Sequence, residues 1–289
     1  AEFEPNSLHP IKAGEGSLLL RHLFAALCCV LACASAPAQT STQTKPKPSL
    51  GSVTVTGMSN PVEKSYRRMV EGMDLFEQEH AHAPNAQLRY KLLPRKHGTN
   101  MDDIQLEVIG NTFSYRVPIE PDRTFTLTRD AKAWAEDAAV SPNRKKLSMT
   151  WRTEIRTPGL PPGTRRLGDM RLECLVGIRA RLVSNTNPIM EKISSILTDP
   201  FRYCGQKNAR YLFFAERPIF SVTLVDGSRR EVLPIDELYA SASDDPGLPQ
   251  DMPFCDCEVM LDRTYFLPLG DNSWSDETLV QFEYMEDAP

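Results

Sequence analysis

The sequence lacks the short motifs that identify the commonest catalytic folds, and it holds few histidines. It contains no G-x-S-x-G elbow, no P-loop, no G-x-G-x-x-G loop and no H-E-x-x-H helix. Only five histidines occur in 289 residues. Three of them, His80, His82 and His97, lie beyond the N-terminal region, in polar segments at the ends of predicted elements. A Ser/His/Asp site assembled from distant positions stays open, but no residue is predicted to be catalytic and no cofactor is expected.

Long apolar runs are also missing. The longest, residues 23–34, has about 12 residues, whereas a membrane-spanning helix needs roughly 20. Lys12 and Arg21 precede this run, and the small residues Ala36-Pro37-Ala38 follow it, which is the layout of a secretory signal peptide. Residues 1–38 are therefore predicted to be a signal peptide with an extended start, cleaved after Ala38, and the protein is expected in the periplasm or secreted.

Lipidation is the alternative to simple cleavage. Val30-Leu31-Ala32-Cys33 resembles the box read by lipoprotein signal peptidase. Processing there would leave Cys33 as a lipidated first residue and the protein as a membrane-anchored lipoprotein. No other contact with a membrane is expected.

Cysteine is sparse, with seven in the chain and three of them inside the predicted signal peptide. The other four are Cys174, Cys204, Cys255 and Cys257, and in an oxidising compartment four cysteines most simply form two disulfides. Cys255 and Cys257 are one residue apart. In a regular strand their Cα atoms would be about 7 Å apart, beyond the usual bridging range. We therefore predict that Cys174 and Cys204 are their partners.

Metal and redox sites are the alternatives for these thiols. Cys255 and Cys257 could join His80 and His82 around zinc, but zinc ligands normally follow C-x2-C or H-x3-H spacings, and both pairs here are closer. A redox dithiol would require C-x-x-C rather than C-x-C. No metal site is therefore predicted.

A polar, proline-containing linker is predicted at residues 39–52, and helical and β patterns follow it. Asn60, Pro61 and Glu63 predict the start of a helix that reaches about residue 78. A second Asn-Pro start predicts a helix over residues 187–199. Alternating apolar and polar residues predict strands through most of the remaining chain. Residues 171–183 are predicted as one long strand, because every second residue from Leu172 to Leu182 is apolar.

These elements predict a mainly β fold with two helices. The expected architecture is two tandem antiparallel β-sandwich-like units, residues 53–184 and 185–289, each with one helix.

Residues 117–134, VPIEPDRTFTLTRDAKAW, resemble the strand-turn-strand of transthyretin-like domains, which also occur as carboxypeptidase regulatory-like modules. The resemblance extends over about residues 50–130 and implies a small β-sandwich used as a binding or spacer module. The whole chain is similar to uncharacterised exported proteins of Gram-negative bacteria. Neither resemblance implies a catalytic residue.

Charge is unevenly distributed. Residues 144–181 hold ten basic and three acidic residues, whereas residues 226–289 hold three basic and sixteen acidic ones. The Pro/Gly-rich segment 156–169 is predicted to be a surface loop, and its Arg156, Arg165 and Arg166 form the predicted contact surface for an anionic envelope component or an acidic protein surface. Alternatively, the basic middle and the acidic C-terminal part face each other or are merely solvated. Nucleic acid is not expected as a partner of an exported protein.

Three functions are compatible with these patterns. The first is an exported, non-enzymatic envelope protein, a disulfide-stabilised β-sandwich that binds or spaces something. The second is a periplasmic hydrolase acting on envelope glycan or peptide, which would need a cleft that brings together a histidine and a carboxylate. The third is a subunit of a secretion or surface assembly. The missing catalytic motifs favour the first.

Overall fold

The computed structural model describes residues 60–183, 199–207, 209–241 and 259–285. These residues belong to one compact unit, Val55–Pro289. The predicted signal peptide, Cys33, the linker, Cys255 and Cys257 lie outside the described residues. Within the described ranges, no helix has both the length and the apolar character of a membrane span.

Four α-helices occur in the described ranges, where two helices were predicted for the whole chain. They are α1 Tyr66–Gln78, α2 Ala131–Ala135, α3 Leu167–Arg179 and α4 Pro200–Cys204. Single turns of 3-10 helix occur at His80–His82, Ile235–Glu237, Tyr239–Ser241 and Leu261–Arg263. All but the last residue of the predicted helix 187–199 lies outside the described residues.

Helix α1 confirms the helix predicted before residue 78, but it begins later than expected. Ser65, not Asn60, caps it, and the Ser65 side chain accepts a hydrogen bond from the backbone N–H of Arg68. Asn60 has a φ of 61° and lies outside the helix. Its apolar side chains face the core, with Tyr66 and Met69 fully buried.

Thirteen short strands in the described ranges form antiparallel sheets, which confirms the mainly β fold. The first seven are β1 Lys64–Ser65, β2 Gln87–Pro94, β3 Leu106–Ile109, β4 Ser114–Val117, β5 Thr124–Phe125, β6 Ala139–Pro142 and β7 Met149–Arg156. The others are β8 Thr164–Arg166, β9 Phe213–Phe214, β10 Ile219–Asp226, β11 Arg229–Val232, β12 Thr264–Tyr265 and β13 Leu279–Tyr284.

The strand orders are β1-β6-β3-β4, β5-β2-β7, β11-β10-β13-β8 and β12-β9. Strand β8 pairs with β13, with Arg166 opposite Leu279. One sheet therefore contains residues from both sides of the boundary predicted between residues 184 and 185.

The long strand predicted over residues 171–183 was wrong, because this segment lies largely in α3. Leu172, Cys174 and Val176 are buried, but so are Glu173 and Leu175 between them. Helix α3 packs against α1, α4 and β7 and is therefore enclosed on more than one side. A helix that is buried on nearly all sides lacks the one-sided 3.6-residue pattern that identifies a surface helix.

The disulfide pairing was also predicted wrongly. Cys174 in α3 bonds to Cys204 in α4, with their Cα atoms 6.1 Å apart. The prediction placed Cys174 on a strand. Cys174 lies instead on a helix that packs beside α4, so its neighbours differ from the expected ones. The participation of Cys174 and Cys204 in a disulfide is confirmed, but their expected bonds to Cys255 and Cys257 are not formed.

Candidate functional site

The site is built on the three-stranded sheet β5-β2-β7. Side chains alternate between the two faces of a strand. One face carries Tyr90, Leu92 and Trp151, which are at most 1% exposed and belong to the core. The opposite face carries Lys91, which lies directly across from Arg152 in the β2–β7 register.

A cavity of about 490 Å³ lies over this charged face. Residues 212–216, which include β9, and residues 259, 260 and 263 contribute to its other walls. Its volume falls within the range of pockets that hold small ligands. Among the described residues that line it, six are basic: Lys91, Arg123, Arg152, Arg156, Arg165 and Arg263. Four are acidic: Asp122, Glu154, Glu173 and Glu216.

The innermost charges form a buried ion pair between β8 and α3. Nη2 of Arg165 lies 2.7 Å from Oε2 of Glu173, and both side chains are less than 10% exposed. The same Nη2 donates to the carbonyl of Ile155, whose N–H donates to Glu173. Burial raises the pKa of the Glu173 carboxyl, and Arg165 opposes that rise. Nε of Arg165 is buried without a hydrogen-bond partner among the described residues.

Arg156 stands at the end of β7 between two carboxylates. Its Nε lies 2.6 Å from Oε1 of Glu154, and its Nη1 lies 2.9 Å from Oε1 of Glu216. The Arg156 side chain is 37% exposed and that of Glu216 is 56% exposed. Glu154 is more enclosed, and its Oε2 is buried without a hydrogen-bond partner within the described ranges. Arg156 is therefore held at the edge of the cavity by contacts that solvent can reach.

Arginine side chains also connect the sheet to the opposite wall. The Arg152 guanidinium lies 4.8 Å from the centre of the Phe214 ring, and its Nη1 donates to the carbonyl of Leu212. From the opposite wall, Arg263 donates through Nη1 to the carbonyl of Glu216. These contacts fix the segment 212–216 over the charged face of the sheet.

The structure brings together two of the three predicted contact residues. Arg156 and Arg165 both line the cavity, whereas Arg166 pairs with Glu277 and lies 3.9 Å from Asp169. The prediction of an exposed loop was wrong for Arg165 and Arg166, which are each 5% exposed. The reason is that residues 164–166 form β8 and pair with β13, so the irregular segment ends before them.

Part of the charge asymmetry is internal pairing. Arg166 contacts Glu277, and Nη1 of Arg171 lies 2.6 Å from Oδ1 of Asp276. Basic residues of the middle segment thus face acidic residues of the C-terminal segment, as the alternative reading of the charge pattern expected. Arg166 and Arg171 therefore form ion pairs within the protein.

A histidine and a carboxylate do meet, but away from the cavity. Nδ1 of His82 lies 2.8 Å from Oδ2 of Asp276. Burial favours a higher pKa for Asp276, but Arg171 and His82 outweigh it and lower the pKa of this carboxyl. No hydroxyl or thiol of a described residue hydrogen-bonds His82. Across the same described ranges, no three histidines, cysteines or carboxylates are grouped to hold a metal.

No protein family, curated protein or solved structure matches the chain. The resemblance to transthyretin-like modules stays a prediction.

Sequence reasoning missed several residues of the cavity. Glu173 was assigned to a strand, and nothing in the sequence places Phe214 or Glu216 over β7. A usable signal did exist: Lys91 and Arg152 occupy polar positions of two strands whose apolar positions were recognised. Charged residues at the polar positions of two paired strands share one face.

Proposed function

We propose that the protein is an exported, non-catalytic binding protein whose cavity holds an anionic ligand of the cell envelope. The observation that carries the proposal is the charge of the cavity lining, with six basic against four acidic described residues. The excess is two positive charges. Charges in a partly enclosed, low-dielectric cavity act more strongly on a ligand than charges on an open surface.

The arrangement of donors supports the same proposal. Arg165 is held rigidly by Glu173 and Ile155, and its buried Nε is left without a partner among the described residues. A buried polar atom without a hydrogen bond is unfavourable unless a bound water or ligand satisfies it. Arg156, within the same lining, adds a second guanidinium that solvent reaches.

A binding role is better supported than a hydrolytic one. The histidine–carboxylate pair His82–Asp276 is outside the cavity lining and has no nucleophile bonded to it in the described part of the chain. The lining contains arginines, a lysine and carboxylates but no histidine among its described residues. Export is supported by the pattern of residues 1–38 and by the Cys174–Cys204 disulfide, since structural disulfides persist in oxidising compartments.

The test uses two dyes with one ring system. 8-Anilinonaphthalene-1-sulfonate carries a sulfonate, and N-phenyl-1-naphthylamine does not. We expect the sulfonate to bind with a 1:1 stoichiometry and the neutral dye to bind at least tenfold more weakly. Arg156→Gln should weaken sulfonate binding about tenfold, because a hydrogen bond to a charged group is lost. Cooperative unfolding of each variant must be shown, since this dye also binds partly folded states.

Arg129→Gln is the matched control. Arg129 is 41% exposed and contacts two carboxylates, Asp74 and Glu77, as Arg156 contacts Glu154 and Glu216. This substitution removes the same charge but should leave the dissociation constant within twofold. Equal binding of both dyes, or equal effects of the two substitutions, would contradict the proposal. Mass spectrometry of protein from the native envelope tests export separately, by finding cleavage after Ala38 or lipid on Cys33.

A second candidate is a subunit of a secretion or surface assembly, which the edge strand β11 favours. All four of its residues are exposed, and Val232 is 61% exposed. Such an edge accepts a strand from another chain. A photo-crosslinking residue at position 231 should then capture one defined partner peptide in cells, while the same residue at position 129 should not. No defined peptide at position 231 would exclude this role.

A further inference from the structure

Two turns lie side by side at one end of the paired strands β2 and β7. The first is residues 95–99 and the second is residues 144–148. The N–H of Arg95 and the hydroxyl of Thr99 both donate to the carbonyl of Ser148, so the two turns are in direct contact. Together they are called the double-turn surface below.

The double-turn surface is strongly basic. Its ten residues include five lysines and arginines and no aspartate or glutamate. Lys96, Lys145 and Lys146 are exposed, and their ammonium groups form no hydrogen bond or ion pair with another described residue. These three charges are therefore available to a partner outside the chain.

Few carboxylates oppose this charge. The segments 60–63 and 100–103, which hydrogen-bond to the two turns, contain Glu63, Asp102 and Asp103. Oδ1 of Asp102 lies 3.6 Å from Nη2 of Arg123, a residue outside the double-turn surface. The positive charge is a local feature, because the whole chain has a net charge of −5. Such a local cluster of lysines and arginines is attracted to the negative surface of a membrane that contains anionic lipids.

An exposed leucine follows the two lysines of the second turn. Leu147 is 38% exposed and has a φ of 66°, in the left-handed region that favours glycine. An aliphatic side chain in this conformation strains the backbone, and its exposure leaves little packing to offset the strain. At a membrane surface, Leu147 would bury its side chain among the acyl chains while the lysines next to it contact the headgroups.

The N-terminal part of the chain joins the fold at the same surface. The described residues begin at Asn60, whose carbonyl accepts a hydrogen bond from the N–H of Lys146. Residues 34–59 connect Asn60 to Cys33, the alternative lipidation site. A lipid on Cys33 would therefore anchor the protein through a segment that enters the fold beside the exposed lysines.

We propose that the double-turn surface docks on the surface of an anionic phospholipid membrane, with Lys145 and Lys146 at the headgroups and Leu147 inserted between them. The contact uses none of the residues that line the cavity. It also requires no lipid on Cys33, which was the only membrane contact that the sequence predicted.

The experiment measures flotation of the predicted mature chain, residues 39–289, with vesicles. This chain contains the whole compact unit from Val55 and omits the apolar residues 23–34. Vesicles of phosphatidylglycerol and phosphatidylcholine in equal amounts should bind the protein at least about tenfold more tightly than phosphatidylcholine alone. Salt at about 0.5 M should remove most of this binding, because it screens the exposed charges.

A pair of double variants tests the location of the contact. Lys145→Gln/Lys146→Gln should weaken binding to the anionic vesicles about 25-fold, because each lysine at such a surface contributes roughly fivefold. The matched control is Arg202→Gln/Lys207→Gln, which removes two exposed positive charges on α4 and just after it. The control should change binding less than twofold.

Two substitutions test the insertion of Leu147. Leu147→Gly should weaken vesicle binding severalfold without lowering the melting temperature, because glycine adopts positive φ without strain. Fluorescence of Leu147→Trp should be quenched by vesicles with brominated acyl chains beyond the quenching of the wild type. Phe201→Trp is the control, since Phe201 is 46% exposed on α4, and it should add no such quenching.

Four results would overturn the proposal. They are equal binding to anionic and neutral vesicles, equal losses in the two double variants, a lowered melting temperature of Leu147→Gly, and equal quenching at positions 147 and 201. Unchanged vesicle binding of Leu147→Gly would also overturn it, because the lysines would then fit an acidic protein surface rather than a membrane. None of these results depends on whether the sulfonate dye binds in the cavity.

Discussion

Breaking the Cys174–Cys204 disulfide should lower the free energy of unfolding by about 3.7 kcal/mol. The bond closes a loop with a sequence separation of 30 residues. In the chain-entropy description, closing such a loop removes about 12 cal/mol/K from the unfolded chain, which gives this free energy at 25 °C. Reduction leaves both thiols in their buried places, so little packing is lost.

The assay is urea unfolding followed by circular dichroism, with and without reductant, for the wild type and for Cys174→Ala/Cys204→Ala. Reductant should lower the stability of the wild type by about 3.7 kcal/mol more than that of the double variant, because the variant has no such bond to lose. The double variant also controls for reduction of any other cysteine. An equal effect of reductant on the two proteins would refute the pairing of Cys174 with Cys204.

Four further predictions concern single contacts. Glu173→Gln should lower the free energy of unfolding in urea by about 3–5 kcal/mol, because Arg165 would stay charged and buried without its carboxylate. The double variant Arg165→Met/Glu173→Leu should recover most of this loss. A loss below about 1 kcal/mol would show that the ion pair is not formed. The folded-state pKa of Asp276 is lowered, so its stabilisation is present above the unfolded pKa of about 3.9 and disappears as the pH falls through the folded pKa. Asp276→Asn should therefore be less stable than the wild type at pH 7 and approach it in acid, and a constant difference across the pH range would contradict this. Glu216→Gln should tighten binding of the sulfonate dye severalfold in fluorescence titration, because it removes a carboxylate that competes for a cavity arginine; unchanged or weaker binding would count against the cavity. Gly72→Ala should destabilise the protein by about 1–3 kcal/mol in thermal unfolding, because the added Cβ would lie 2.8 Å from the Cβ of the C-cap residue of α3. An unchanged melting temperature would mean that α1 and α3 do not pack so closely.

The parts of the fold that sequence predicted are those with a one-sided pattern. Helix α1 has an apolar face and a polar face, and β2 and β7 alternate, so each shows its period clearly. Helix α3 does not, because three neighbouring elements enclose it. Its apolar residues at alternate positions are compatible with a strand. Its length of 13 residues favours a helix, because it exceeds the usual length of strands.

The sequence indicated which arginines belong to the site but not where the fold places them. The Pro/Gly-rich segment directed attention to Arg156 and Arg165, and both line the cavity. Their setting depends on β8 pairing with β13, more than 100 residues away in sequence, and short-range patterns do not report such pairings. The wrong disulfide pairing has the same origin, because it followed from the wrong element at Cys174.

A crystal structure of the protein with 8-anilinonaphthalene-1-sulfonate tests the anion-binding cavity most directly. We expect one dye molecule in the cavity, with its sulfonate within hydrogen-bond distance of Arg156 or Arg165 and its rings against Phe214. Dye bound only outside the cavity, or inside it with the sulfonate in contact with none of the basic side chains that line it, would contradict the proposal.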